Sequence, residues 1–155
     1  MFQQHSNGRR TSLKSYIDAQ PKSIQLCHID AVPDNFLFVT GKDGSEEIKL
    51  TDWEYAGMQD PHLDVAMFII YAMYDRDSAE KLIDLYFSDG CDKATRLKIY
   101  CYIAVSGLVW SNWCEFKRHC GVEFGAYAQR QYDYAREYTK IFFKEYREAF
   151  GRDYV

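Results

Sequence analysis

The chain has 155 residues, of which 47% are hydrophobic and 27% charged, and its formal net charge is −4. These values are typical of a single folded domain, and they argue against a disordered chain and against a generally basic surface for nucleic acid. No apolar run approaches the roughly 20 residues that span a bilayer, and the N-terminus lacks the apolar stretch of a signal peptide. With five cysteines and no C-x-x-C pair, the sequence predicts a cytoplasmic protein with reduced thiols.

The first third of the chain predicts a small β element after an N-terminal arm. Residues 1–20 are polar and form either a loose arm or a short helix that ends before Pro21. Three β-like runs follow, over residues 24–27, 36–40 and 47–51. Gly41 and Gly44 predict a hairpin between the second and third runs, and a loop over 28–35 separates the first two.

From Pro61 onward the hydrophobic residues recur at helical spacing. Four helices are predicted, over about 63–74, 77–90, 92–117 and 124–150. Asp77 and Glu80 resemble a capping box at the start of the second helix, and Asp92 is placed to cap the third. Strands followed by helices are typical of an α+β domain, here a predominantly helical one, and no repeat or linker divides it.

Polar residues of the loop and of the third strand's end form the candidate chemical site. Asp30 and Asn35 lie on the loop, and Asp52 and Glu54 lie at the end of the third strand. Carboxylate and amide oxygens bind Mg²⁺, and a carboxylate that orients a hydroxyl is what phosphoryl transfer requires. Two carboxylates could also hydrolyse a glycoside, but that interpretation leaves Asn35 and His28 without a role.

These residues form ordered motifs, H-x-D-x-x-x-x-N over 28–35 and D-x-E over 52–54. Downstream come D-P-x-x-D-V-A over 60–66, W-x-x-W over 110–113 and E-F-G-x-Y-A over 123–128. In this order, the motifs resemble those of the C-terminal lobe of the choline/ethanolamine kinases, especially the bacterial LicA type. That family belongs with the aminoglycoside phosphotransferases to the protein-kinase-like superfamily. The resemblance implies a protein-kinase-like C-terminal lobe, in which a small β element carries the catalytic loop and packs on a helical domain.

The resemblance also implies a role for each polar residue of these motifs. Asp30 would be the catalytic base that orients the substrate hydroxyl, and His28 would brace the loop. The implied Mg²⁺ ligands are Asn35, Asp52 and Glu54. Asp60 and Asp64 are expected to cap the next helix and to hydrogen-bond the loop rather than to touch the substrate. The implied cofactors are ATP and Mg²⁺.

Several aromatic residues fall at or near positions that line the choline pocket in this family. A quaternary ammonium group offers no conventional hydrogen bond, so ring faces and nearby carboxylates hold it. The implied substrate-binding rings are Tyr55, Tyr74, Trp110, Trp113 and Tyr127. The implied partner is choline or a similar cationic amino alcohol.

The parts that grip ATP in this family are not found in residues 1–25, which hold no Gly-rich loop and no lysine in a V-A-x-K setting. We therefore expect an N-terminal arm over 1–21, a kinase-like C-terminal lobe over 22–155 and no ATP-gripping lobe. The apolar surface that such a lobe would cover predicts self-association into a homo-oligomer.

The function that the resemblance implies is transfer of the γ-phosphoryl group of ATP to the hydroxyl of choline. Two alternatives stay open: a related kinase for ethanolamine, thiamine or an aminoglycoside, and a non-catalytic choline-binding or assembly module. The acidic surplus over residues 51–90 suits any cationic alcohol, whereas Trp110 and Trp113 favour a methylated ammonium.

Overall fold

The structure, a computed structural model, describes residues 13–154. A first helix, α1, covers residues 13–19. The remaining elements are the strands β1 (Gln25–Cys27), β2 (Phe36–Thr40), β3 (Glu46–Leu50) and β4 (Gly57–Gln59), and the helices α2 (His62–Tyr71), α3 (Arg76–Tyr86), α4 (Lys93–His119) and α5 (Ala126–Phe150). The predominantly helical α+β class is confirmed. Among the described helices, none is long and apolar enough to cross a membrane.

The strands form two separate antiparallel pairs rather than one sheet. β2 and β3 make the hairpin that the glycines predict, with Phe38 opposite Ile48. β1 pairs with β4, a strand of three residues that the sequence pattern does not reveal, and Leu26 lies opposite Met58. This second pairing brings the start of β4 next to the end of β1, where the loop begins. All four of these side chains are exposed, Phe38 the most at 81%.

Side-chain caps set the starts of two helices. Asp92 accepts a hydrogen bond from the Thr95 amide at 3.0 Å, as predicted for the start of α4. The predicted capping box of α3 is wrong, because Asp75 accepts from the Ser78 amide at 2.8 Å and Asp77 lies inside the helix. Both caps satisfy an amide that the first helical turn leaves without a partner.

The core lies around α4 and α5, with α1 and α2 packed against them. Tyr16 of α1 is buried, and its ring meets that of Phe142 on α5 at 5.0 Å between centroids. Of the two alternatives for residues 1–20, the described part therefore takes the short helix. α4 and α5 approach closely at Gly107, where a β carbon would lie 2.7 Å from the carbonyl oxygen of Gln131.

Replacing Gly107 by alanine should lower the free energy of unfolding by about 1–3 kcal/mol, because the added methyl group would press on a rigid helix backbone. The measurement is urea denaturation at neutral pH, followed by circular dichroism. Gly57→Ala is the matched control, since a β carbon at Gly57 meets no heavy atom within 4 Å. A Gly107→Ala chain as stable as the control would contradict the close approach of α4 and α5.

Candidate active site

The loop over residues 28–35 connects β1 to β2 and ends in a short 3₁₀ turn, Pro33–Asn35. The carbonyl oxygen of Asp30 accepts a hydrogen bond from the Val32 amide at 2.7 Å and another from the Asn35 side-chain nitrogen at 2.9 Å. Asp30 and Asn35 are therefore held against each other, and both are partly exposed.

The carboxylate of Asp64, in the first turn of α2, holds the start of this loop. One oxygen accepts from the His28 amide and the other from the Ile29 amide, each at 2.8 Å. Ile29 has a φ of 69°, a left-handed conformation that costs a β-branched residue about 1–3 kcal/mol. Two hydrogen bonds to a charged acceptor offset that cost and keep the residue before Asp30 in place.

His28 and Asn35 both bind Thr51, the residue that follows β3. The Nε2 atom of the buried His28 ring donates to the Thr51 carbonyl oxygen at 2.7 Å, and the ring lies edge-on to Trp53 at 4.7 Å between centroids. The Asn35 carbonyl oxygen accepts from the Thr51 amide at 2.9 Å. These contacts join the loop to the end of β3, and they hold the next residue, Asp52, beside the loop.

The expected Mg²⁺ ligands are oxygen donors at the edge of the loop. The Asn35 side-chain nitrogen is bound to the loop, so its side-chain oxygen is the group that can face a cation. Asp52 is exposed and has a left-handed φ of 63°, a strained conformation of the kind found at functional sites, and Glu54 lies in the exposed turn beyond it. No group of three or more His, Cys, Asp or Glu side chains within residues 13–154 could hold a metal. A small oxygen set still fits Mg²⁺, which usually takes one or two carboxylates and completes its shell with phosphate oxygens and water.

Five rings form a contact chain, here called the aromatic row, that runs from α2 across α4 to the start of α5. Its members are Tyr71, Trp110, Trp113, Phe124 and Tyr127. Trp110 and Trp113 are stacked at 5.9 Å between centroids, with 19° between the ring planes. The Tyr71 ring stands edge-on to Trp110 at 5.6 Å. The structure thus brings together three of the five expected substrate-binding rings.

The other two expected rings make no ring contact with the aromatic row among the described residues. Tyr55 is 61% exposed in the turn beyond β3, and Tyr74 packs edge-on against Phe68 at 5.7 Å. The members of the aromatic row that sequence reasoning missed are Tyr71 and Phe124. A signal for Tyr71 exists, because it lies seven residues after Asp64 and therefore on the same face of α2.

The charge of the Asp30 carboxylate acts on two members of the aromatic row, Tyr71 and Tyr127. Burial raises the pKa of the Tyr71 hydroxyl above its usual range, and interaction with the Asp30 carboxylate raises that pKa further. Burial likewise raises the pKa of Tyr127, whose hydroxyl interacts with Trp110 and is also influenced by the charge of Asp30. A carboxylate and several ring faces therefore border the same region, which is an arrangement suited to a cation.

Asp60 supports the site indirectly, because it binds α4 and the start of α2. Its buried carboxylate accepts a hydrogen bond from the Lys98 ammonium at 2.7 Å, and the Tyr102 hydroxyl and the His62 amide also donate to it. Burial acts to raise the pKa of Asp60, but the hydrogen bonds from Lys98 and His62 outweigh burial and hold that pKa below its usual range. Lys98 also donates to the Pro21 carbonyl oxygen at 2.9 Å, so the pair ties the start of α2 and the chain before β1 to α4.

Comparison with known proteins relates this site to one family. The family model described as Choline/ethanolamine kinase matches residues 4–89. The chain is 30% identical over 124 residues to Protein LicA of Haemophilus influenzae (strain ATCC 51907 / DSM 11121 / KW20 / Rd). That match covers 72% of this chain and 42% of LicA.

Solved structures superpose on most of this chain. The choline kinase LicA from Streptococcus pneumoniae gives a TM-score of 0.68 at 26% identity, covering 90% of this chain and 48% of that one. A LicA structure in complex with AMP gives 0.66 at 27% identity, covering 87% and 45%. The kinase-like fold is thereby confirmed, and the chain spans less than half the length of each of these relatives.

Asp64→Asn should lower the free energy of unfolding by about 1–3 kcal/mol, because an amide nitrogen would then face a backbone N–H group that needs an acceptor. Urea denaturation measures this loss, and hydrogen exchange should show faster exchange of the His28 and Ile29 amides. Asp34→Asn is the control, since it makes the same chemical change at an exposed position of the loop. Equal stability of the two variants would mean that Asp64 does not hold the loop.

The lowered pKa of Asp60 makes stability depend on pH in one direction. Between its folded pKa and its unfolded pKa of about 3.9, the unfolded chain binds more protons, so the free energy of unfolding rises with pH. The contribution of Asp60 is therefore complete above about pH 5 and is lost as the pH falls through the folded pKa.

Melting temperatures of the wild-type chain and of Asp60→Asn, measured from neutral pH down to about pH 3, test this dependence. The two curves should differ most near neutrality, where the variant leaves the buried Lys98 ammonium without its charged partner, and should converge in acid. A difference that stays constant over the whole range would contradict a stabilising, ionised Asp60.

Proposed function

The chain belongs to the choline/ethanolamine kinase family, and on that premise we propose that it is the catalytic and substrate-binding lobe of an ATP-dependent choline kinase. The proposed reaction transfers the γ-phosphoryl group of ATP to the hydroxyl of choline. The observation that carries this proposal is the geometry of the loop, in which Asn35 donates to the Asp30 carbonyl oxygen at 2.9 Å and Asp64 binds the amides of the two residues before Asp30. We assign residues 22–155 to this lobe, together with α1, which packs against α5.

Choline combines two groups that this arrangement suits. Its quaternary ammonium has no N–H group to donate, so the faces of Trp110 and Trp113 and the charge of Asp30 would hold it by electrostatic attraction. Its hydroxyl, at the other end of a short carbon chain, can donate a hydrogen bond to a carboxylate. With the ammonium against the aromatic row, the hydroxyl would meet Asp30.

Asp30 is the proposed base of the reaction. It accepts the proton of the choline hydroxyl while the hydroxyl oxygen bonds to the γ-phosphorus and the bond from that phosphorus to ADP breaks. Asn35 and Asp52 are proposed to hold Mg²⁺, with Glu54 as a further acid beside them. The metal, when bound, neutralises charge on the phosphates. The LicA structure with AMP supports an adenine nucleotide as the phosphoryl donor.

The residues that brace the loop act on the reaction indirectly in this proposal. His28 and Asp64 bind backbone groups of the loop and of β3's end, so they determine where Asp30 points. The Asp60–Lys98 pair supports α2, which carries Asp64. Substitutions of His28, Asp60 or Asp64 should therefore affect catalysis and stability together.

The wild-type chain should bind choline and, with Mg-ATP, should form phosphocholine and ADP. Binding is measured by the change in intrinsic tryptophan fluorescence, and turnover by the ADP released. Asp30→Asn should lower kcat by about 10²–10⁴-fold, because general-base catalysis contributes about that factor, while choline binding falls much less. Asp34→Asn is the matched control, since it removes an exposed carboxylate from the same loop.

Three outcomes would change the proposal. Binding of ethanolamine or an aminoglycoside but not of choline would replace choline by that substrate. Choline binding without turnover would favour the alternative of a non-catalytic choline-binding module. Absence of both binding and turnover would overturn the proposed function.

A further inference from the structure

A lysine side chain lies over the outer end of the aromatic row. The Lys117 ammonium is 5.5 Å from the centroid of the Trp113 ring, within the distance at which a ring face attracts a positive charge. Lys117 follows Trp113 by four residues on α4, so the two side chains are neighbours on one face of the helix. Trp113 is 41% exposed, and Lys117 is partly buried against it.

The other side of the Trp113 ring is closed by Trp110. The two rings are stacked, with 5.9 Å between their centroids and 19° between their planes. A ligand between them would need van der Waals contact with both, which takes at least about 7 Å even for a single layer of atoms. Trp110 precedes Trp113 by three residues and Lys117 follows it by four, so these two residues flank the ring along the helix. A ligand can therefore reach the face of Trp113 only from the side that Lys117 covers.

The ring, and not an acid, holds the Lys117 ammonium in this position. Within residues 13–154, Lys117 makes no ion pair with a carboxylate, whereas the next residue, Arg118, is paired with Glu115 at 2.6 Å. The attraction between an exposed ammonium and a ring is weak. Another cation can therefore displace the Lys117 ammonium from the Trp113 ring.

We propose, on the basis of the function proposed above, that Lys117 is an internal competitor of the cationic substrate at the Trp113 ring. Either the lysine ammonium or the quaternary ammonium of the ligand occupies this ring face, because two positive charges a few ångströms apart repel each other. Lys117 consequently lowers the affinity of the site for a quaternary ammonium. It is thus a residue whose removal improves binding.

Lys117→Ala removes the ammonium and leaves the ring uncovered, and alanine is the residue most favourable to a helix. We expect this variant to bind choline and tetramethylammonium each about two- to fivefold more tightly than the wild-type chain, the factor that one exposed cation–ring contact contributes. Tetramethylammonium carries the quaternary ammonium without a hydroxyl, so an equal gain for both ligands assigns the effect to the ammonium. Isothermal titration calorimetry measures both affinities without using the tryptophans as reporters.

Lys140→Ala is the matched control. It makes the same change in net charge at an exposed residue of α5, about 20 Å along the helix from Tyr127, and Lys140 lies over no ring within the described part of the chain. Its affinities should equal those of the wild-type chain. Lys117→Arg keeps a cation that can lie over the ring, so it should bind both ligands no more tightly than the wild-type chain does.

A second background separates competition for the ring from simple repulsion between charges. In Trp113→Leu, no ring remains for the two cations to share. If Lys117 competes for that ring, adding Lys117→Ala to Trp113→Leu should leave both affinities unchanged. A full gain in this background would show that Lys117 acts through its charge alone and would overturn the competition. Loss of all binding in a folded Trp113→Leu chain would support it, because the ligand would then require this ring.

The outcomes separate this inference from the function on which it rests. Unchanged affinities in Lys117→Ala, or an equal gain in Lys140→Ala, would overturn the competition and leave the proposed function intact. Absence of binding in both the wild-type and the Lys117→Ala chains would overturn both. Tighter binding of both ligands by Lys117→Ala alone would support the competition.

Discussion

Two hydrogen bonds, which the Asp64 carboxylate accepts from the amides of His28 and Ile29, hold the geometry on which the rest of the site depends. Ile29 occupies a backbone region that its branched side chain disfavours by about 1–3 kcal/mol. Without the charged acceptor at the start of α2, nothing would offset this cost at Ile29, the residue that precedes Asp30. A strained residue in the β element is thus held by the helical part of the fold.

The other contacts that hold the loop also bind backbone groups. Thr51 accepts from the His28 ring and donates to the Asn35 carbonyl oxygen, so the loop and the end of β3 form one unit. The buried Asp60–Lys98 pair joins the start of α2 and the chain before β1 to α4. A buried ion pair rarely stabilises more than an apolar pair of the same size, but breaking it is costly, so it acts as a fixed joint. The side chains proposed to do chemistry stay partly or fully exposed.

The high aromatic content of the chain is divided between packing and the candidate site. Rings such as Tyr16 and Phe142 meet edge to face inside the core. The aromatic row reaches the surface, where Trp113 is 41% exposed. The Lys117 ammonium lies 5.5 Å from the centroid of the Trp113 ring, so the outer end of the aromatic row already attracts a cation of the chain itself. This contact shows the same physical attraction that the proposed function assigns to choline.

The sequence by itself determined what depends on neighbouring residues: the β2–β3 hairpin, the Asp92 cap, the helical second part, and the loop that places Asp30 near Asn35. The Asp75 cap, which replaces the predicted capping box, is equally local, because it joins residues three apart. Only the tertiary structure decided two other features, which are strand β4 and the ring contact of Tyr71 with Trp110. β4 exists because β1 supplies its partner, and its three residues are too few to show a period. Tyr71 meets Trp110 because the core packs α2 against α4. Local propensity acts over a few residues, whereas these contacts require the packing of whole elements.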